Sequence, residues 1–487
     1  MNALRAPATA GIESAFATPF LALFSACALL GCVAPTPIDV APEQAIAERS
    51  GLTSAVEFQA VGPDGGPIDE PDRVGDALSF ADAIRRAVAT DPSLQSALAR
   101  VRIAIADADQ ARLLPNPVLD IVVRFGGGAP QVEASIAQQL IEAIQRPTRA
   151  SAADHRLREA AAATVTTALD VISAVQESYI DAQASAALRP LLEQRLNLVE
   201  RLVSIAKARL DVGEGTRGDV VTLDAQRAEL LVLIDRAQLE ERTHRLELAR
   251  LVGEPSSAAG WLLDAWTAPA LIDRPESAWV EAGLRARPEI QAITWRLAAL
   301  GDDEALLRLL PWQGASAGID AQRDGDWSVG PSISAPVPIF DSGQARRARL
   351  TAEQLESRHE LTLARRIVVE EVRVAYQTVT ASRFNLARVR DELVPLQRQR
   401  RQLAEDSFRA GQTDSTPLFL AEQDLRIAQT QAIEAEARAA LALVRLQRAV
   451  GGKGVAESLA VESHPPPGTD RLDAPSNPVA PSPSRMP

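Results

Sequence analysis

The sequence is poor in the side chains on which catalysis and ligand chemistry usually depend. Its four histidines, His155, His244, His359 and His464, lie far apart, and none falls in a His-x-x-x-His or Cys-x-x-Cys spacing. A zinc or copper cage built from neighbouring ligands is therefore not encoded. There are only two cysteines, Cys27 and Cys32, and two methionines, so there is no methionine-rich segment to track a soft metal. Basic charge is also in deficit, with 51 Lys and Arg against 64 Asp and Glu and a net charge of −13. A nucleic-acid binder would need a basic stripe to neutralise phosphates. No nucleophile elbow, phosphate loop or metal motif is present, so no enzyme and no resident cofactor are expected. Aromatics make up 4% of the chain. The apolar run from Ala15 to Gly31 contains Pro19 and is shorter than the about 20 residues a spanning helix needs, which suits the h-region of an export signal.

What the chain does have is Ala, Leu, Val and Ile, which supply most of its 46% apolar content. Ala and Leu favour helix, and small side chains let helices approach closely, so long packed helices are expected. His244 falls on an apolar stripe with Leu230, Ile234, Ala237, Leu248 and Leu251, which reads as a packed, satisfied histidine.

The apolar run ends in Leu29-Leu30-Gly31-Cys32, which resembles a bacterial lipobox. That resemblance implies a signal peptide over 1–31, a diacylglyceryl group on the Cys32 sulfur, and acylation of the new N-terminus by a chain such as palmitate. Several acyl chains on one residue give stable anchoring. Val33 rather than Asp after the cysteine favours the outer membrane. An ordinary cysteine in an uncleaved signal is the alternative. Residues 32–77, rich in Pro, Gly, Asp and Glu, read as an extended tether, and 455–487, rich in Pro and Ser, as a disordered tail.

The rest is organised by an internal repeat. Pro92 and Leu114-Pro115 return 196 residues later as Pro288 and Leu310-Pro311, and Val212-Gly213 and Val252-Gly253 return 198 later as Ala410-Gly411 and Val450-Gly451. Each copy, 78–254 and 277–453, reads as a helix, two strands, a very long helix, a tight turn and a long returning helix. The first helix is expected from Phe80 to Leu113. Strands are expected at about 118–125 and 132–139, and at 314–323 and 327–335, because the apolar period there changes from 3.6 to 2. In these strands Leu119, Ile121, Val123 and Phe125 alternate with Asp120, Val122 and Arg124, and Trp327, Val329, Ile333 and Ala335 alternate with Ser328, Gly330, Ser332 and Ser334. Lipid outside and water inside would produce this pattern, and so would a sheet half-buried on a soluble core. Stretches of roughly 60 residues follow, Pro147 to Val212 and Gly343 to Ala410, each about 90 Å long if helical, with Pro190 and Pro395 expected to kink or break them.

From about Leu78 to Lys453 the chain resembles the TolC-like outer-membrane efflux proteins, in the lipoprotein branch of tripartite RND-type systems. The residues that carry the resemblance are Leu78-Ser79-Phe80-Ala81-Asp82-Ala83 leading to Asp91-Pro92-Ser93-Leu94, then Leu114-Pro115-Asn116-Pro117. Pro336-Val337-Pro338-Ile339-Phe340-Asp341-Ser342-Gly343 and the two glycine-containing tips complete the set. The implied fold is mainly α with a small membrane β part: a trimeric 12-stranded β-barrel continuous with a periplasmic coiled-coil barrel. The implied function is a passive export duct in the bacterial outer membrane. Its implied partners are two further copies, a periplasmic adaptor docking at the tips around Gly213 and Gly411, an inner-membrane RND-type pump, and lipid. Family gates place acids six and nine residues beyond the second tip glycine. This chain has Pro417 and Leu420 there, which leaves Asp219 and Asp414 as gate candidates, with ordinary helix N-terminal charge as the alternative. A periplasm-spanning coiled-coil structural lipoprotein and a type I secretion exit duct are the competing readings; a coiled-coil tether would need no strands. The cargo is not written in the sequence.

Overall fold

The computed structural model describes residues 41–50, 58, 75–126, 130–264, 274–324, 326–410, 412–413 and 415–461. In chain order these form α1 (Pro42–Ser50), β1 (Ala77–Leu78), α2 (Phe80–Thr90), α3 (Pro92–Arg112), β2 (Val118–Arg124), β3 (Gln131–Gln139), α4 (Leu140–Asp211) and α5 (Arg217–Leu251). The second half gives β4 (Leu262–Leu263), α6 (Glu276–Ala286), α7 (Pro288–Arg308), β5 (Ser316–Asp324), β6 (Asp326–Ser334), α8 (Gln344–Ala387), a π-helical segment (Arg388–Leu393), α9 (Val394–Arg409), α10 (Ser415–Val450) and α11 (Lys453–Val461). The fold is thus mainly helical, with one four-stranded and one two-stranded sheet among the described residues. Among the described residues no helix is long and apolar enough to cross a membrane.

The duplication is visible in the backbone. The pairs α2–α6 and α3–α7 have matched lengths of 11 and 21 residues. The helix expected from Phe80 to Leu113 is divided at Asp91-Pro92, because the residue before a proline is pushed out of the helical region and Asp91 is extended at ψ 121°. Its carboxylate then accepts from the Ser93 and Leu94 amides at 2.9 and 3.1 Å and starts α3. At the matching position Arg287 offers no cap. Its buried guanidinium instead pairs with Glu371 and donates to the Arg448 carbonyl at 3.2 Å, so the second junction is held from outside.

The long helix α4 runs 72 residues, about 108 Å at 1.5 Å each, and takes in both Pro147 and Pro190 without a break. Packing explains the continuity at Pro190: Leu192 is locked against Ile234 and Ala237 of α5, so one lost backbone bond does not free the chain. Pro395 behaves differently. The π segment lies just before it and absorbs the proline inside an otherwise continuous column. Alanines line the buried faces, among them Ala152, Ala161 and Ala168 of α4 and Ala428, Ala435 and Ala442 of α10, which lets the columns approach closely. Each repeat has its own core, around Leu94, Val175 and Leu248 in the first and Trp279, Val372 and Leu446 in the second.

Three expectations need correction. Part of the stretch read as an extended tether is the helix α1, whose Ile46 is fully buried in the first core and whose Arg49 donates to the Ala286 carbonyl at 2.5 Å. Ordered chain also continues past 455, because α11 runs to Val461 and buries Ala456 in the second core. His244 is half-buried, but its Nδ1 makes no hydrogen bond among the described residues.

The strands β1 and β4 pair in parallel, and one phenol pins them. Tyr179 Oη donates to the Leu78 carbonyl at 2.8 Å and accepts from the Asp264 amide at 2.9 Å. Burial pushes its pKa up to about 12. Phe80 packs edge-on to the ring at 5.2 Å, and its own amide donates to the Asp264 carboxylate. Tyr179→Phe strands a carbonyl and an amide, so chemical denaturation should show a loss of about 1–3 kcal/mol, with the β1–β4 amides exchanging first.

Candidate functional site

The four longer strands form one antiparallel sheet in the order β2-β3-β5-β6. Residues directly opposite in such a ladder share a face. The register aligns Leu119 with Ile136, Ile136 with Ile319, Ile121 with Ala134, and Ala134 with Ala321, which faces Val329. One face is therefore apolar across all four strands, with Gln138 and Arg323 at its two ends. The other carries Asp120, Ser135 and Asp320 in a row, with Ser332 donating to Asp320 at 3.0 Å and Arg124 paired with Glu133. The apolar face is bare: Leu119 is 65% exposed and Ile333 82%. A sheet covering a soluble core would bury these residues. Both edges, β2 and β6, lack a described neighbour.

The hairpins meet where β3 pairs with β5, and the approach there is close. A Cβ on Gly318 would collide with the Ile136 carbonyl oxygen, whereas one on Gly330 would meet nothing within 4 Å. Gly318→Ala should lower the unfolding temperature of the sheet, costing about 1–3 kcal/mol, while Gly330→Ala leaves it unchanged; circular dichroism melts of the two variants compare them directly.

At the far end of the columns, α4 turns into α5 through Gly213 at φ +82°, a conformation that favours glycine. The amides of Glu214 and Gly215 close back onto the Arg209 carbonyl at 2.8 and 3.0 Å. Thr216 and Asp219 then form a reciprocal cap: the Asp219 amide donates to Thr216 Oγ1 at 3.2 Å, and the Asp219 carboxylate accepts from the Thr216 amide and hydroxyl at 3.0 and 2.8 Å. This fully exposed carboxyl titrates below its ordinary value of 3.8 because Thr216 hydrogen-bonds its charged form. Gly411 and Asp414 lie outside the described residues, as does Cys32.

The structure brings the two tips together. A groove of about 430 Å³ runs between Leu202, Arg209, Asp219 and Leu223 on one side and Thr416 and Leu420 on the other. A second of about 540 Å³ lies between Arg209, Arg400, Pro417 and Leu420. Pro417 and Leu420, which replace the acids expected of a gate, are thus groove-lining residues. Sequence reasoning missed Arg209 and Arg400, because nothing in their local pattern separates them from other helix-surface arginines. Arg400 reaches across its own hairpin to Asp424 at 2.5 Å.

Residues 281–452 match the family described as outer membrane efflux protein. The match covers 172 of the 487 residues. The chain is 27% identical over 285 residues to the outer membrane efflux protein BepC of Brucella suis, covering 56% of this chain and 61% of BepC. It is 27% identical over 369 residues to the protein CyaE of Bordetella pertussis, covering 69% of this chain and 76% of CyaE. The fold matches the outer-membrane channel OprN at a TM-score of 0.62 with 21% identity, covering 77% and 90% of the two chains. It also matches the Neisseria gonorrhoeae MtrE outer membrane channel, described in an open state, at 0.60 with 17% identity, covering 77% and 89%.

The Thr216–Asp219 cap has a pH signature of known sign. A carboxyl whose folded pKa is depressed contributes stability above its unfolded pKa and loses it as pH falls through the folded value. Amide exchange at the start of α5 should therefore stay slow down to about pH 4 and accelerate below it. In Thr216→Ala it should be fast at every pH.

Proposed function

We propose that this protein is the outer-membrane channel of a tripartite efflux system, a passive duct through outer membrane and periplasm. The observation that carries the reading is the sheet: one face apolar and bare across four registered strands, both edges open, continuous with helical columns of roughly 100 Å. Four strands cannot close a barrel, and open edges in lipid would leave backbone groups unsatisfied. Three copies joined β6 to β2 give twelve strands and one closed wall, with Asp120 and Asp320 on the water side. The helical columns would then form a tunnel below it. A coiled-coil tether would have no use for this sheet.

The remaining parts follow from that placement. Cys32 carries the lipid anchor at the membrane, and no resident cofactor is needed. The tips around Gly213 and Gly411 receive a periplasmic adaptor, with an inner-membrane RND-type pump supplying the energy. A secretion exit duct would share this architecture and differ in its pump. Asp219 and Asp414 remain gate candidates, although Asp219 already serves as a cap.

Native mass spectrometry and planar-bilayer conductance of the purified, acylated protein test the reading. A conducting trimer, mostly closed at rest, is expected. A monomer that stays folded without detergent after Cys32→Ser and never conducts would refute it. Within the trimer, Asp219→Asn separates the two roles of that side chain: a gate charge gives a several-fold leak with α5 intact, whereas a cap alone gives none.

A further inference from the structure

The apolar stripe of edge strand β6 does not stop where the strand stops. Its outward positions are Trp327, Val329, Pro331 and Ile333, and the same alternation continues through Ala335, Val337 and Ile339. All are exposed, including Val337 at 76% and Ile339 at 74%. The alternate positions are small or polar: Ser328, Gly330, Ser332 and Ser334, then Pro336 and Pro338. After Ile339, whose amide donates to the Val337 carbonyl at 2.9 Å, Phe340 stands 92% exposed. Polar chain resumes at once, with the Asp341 carboxylate accepting from the Gly343 amide at 2.7 Å beside a polar cleft lined by Glu142, Gln313 and Arg346. The stripe is thus bounded by acids, Asp326 above and Asp341 below.

We propose that this whole stripe, from Trp327 through Phe340, is a lipid-contact surface that spans the hydrocarbon layer, with Ile339 and Phe340 as the anchor at its periplasmic interface. The proposal rests on the outer-membrane reading above and extends it to a segment outside the sheet. Length supports a bilayer as the occupant. Ten steps of chain from Trp327 to Val337, before the turn closed by the Ile339 amide on the Val337 carbonyl, cover about 33 Å if extended, and at a strand tilt of about 40° they project to about 25 Å, the height of a barrel's apolar band. The stripe inside β6, from Trp327 to Ser334, projects to about 18 Å on the same basis and falls short of that height. The ends also have interfacial chemistry. Arg323 lies 5.9 Å from the Trp327 ring at the outer end, and an aromatic ring with a cation beside it suits the headgroup level.

The test is nitroxide accessibility in reconstituted lipid vesicles, with single labels at Val329→Cys, Val337→Cys, Phe340→Cys and Ser328→Cys. The parent chain, run in parallel, reports any label on its own cysteines. Dissolved oxygen should relax the labels at 329, 337 and 340 several-fold more than a water-soluble nickel chelate does. Depth should be least at 340 and slightly greater at 337 than at 329, and the label at 328 should show the reverse preference. If 329 prefers oxygen while 337 and 340 prefer nickel, the segment is periplasmic and the proposal is wrong, though the outer-membrane reading stands. If neither reagent reaches 337 and 340, protein covers them and the proposal is equally wrong. A nickel preference at 329 would remove the outer-membrane reading itself.

Discussion

Backbone hydrogen bonding is the constraint on which this structure turns. Every amide and carbonyl placed in lipid must find a partner within protein, and the proposed duct would place there a four-stranded sheet whose two edges lack a described neighbour. In such a duct a single chain could not meet that demand, so assembly would be part of the fold and not an addition to it. The helices obey a different rule. Their backbones are satisfied internally, and their apolar stripes need only one another, so they can extend far into water as long as small side chains keep them close. Alanine on α4 and α10 provides that closeness.

The fold class was legible because two periods are written plainly in the sequence. Alternation at Leu119, Ile121 and Val123 against Asp120 and Arg124 marks strand, and the long Ala- and Leu-rich stretches mark helix. Less legible was what depends on packing between distant segments. Nothing local in Pro42–Ser50 distinguishes a docked helix from a tether, because Ile46 is buried in a core whose other members run from Leu78 to Trp261. Pro190 looks like a breaker and is not one, because neighbours on α5 hold its flanks. At the tip, Gly213 was readable from its turn chemistry. The reciprocal bond between Thr216 and Asp219 needed coordinates, and the approach of the two tips at Arg209, Pro417 and Leu420 could not be read from either hairpin alone.

The two repeats share a plan but not their fastenings. Asp91 starts α3 with its own carboxylate, whereas Arg287 at the matching site is held by Glu371 and Arg448 from other columns. Tyr179 ties β1 to β4 in the first half, and Arg49 of α1 reaches into the second at Ala286. The halves themselves are joined by other pairs, Arg448 with Asp170 at 2.7 Å and Arg296 with Glu159 at 2.8 Å.

The two copies also differ in length, and only in one place. They keep step through α2–α3 and α6–α7, and again at the tip glycines, but between Pro115 and Gln344 the spacing wanders. β3 passes into α4 with no residue between them, whereas nine residues separate β6 from α8. One residue added inside a helix turns its apolar stripe by about 100°, and one added inside a strand sends every later side chain to the wrong face. Connectors at the rim of the sheet obey neither rule. The connectors at the rim of the sheet thus differ between the copies, while the span from Gly213 to Gly253 recurs unchanged from Gly411 to Gly451.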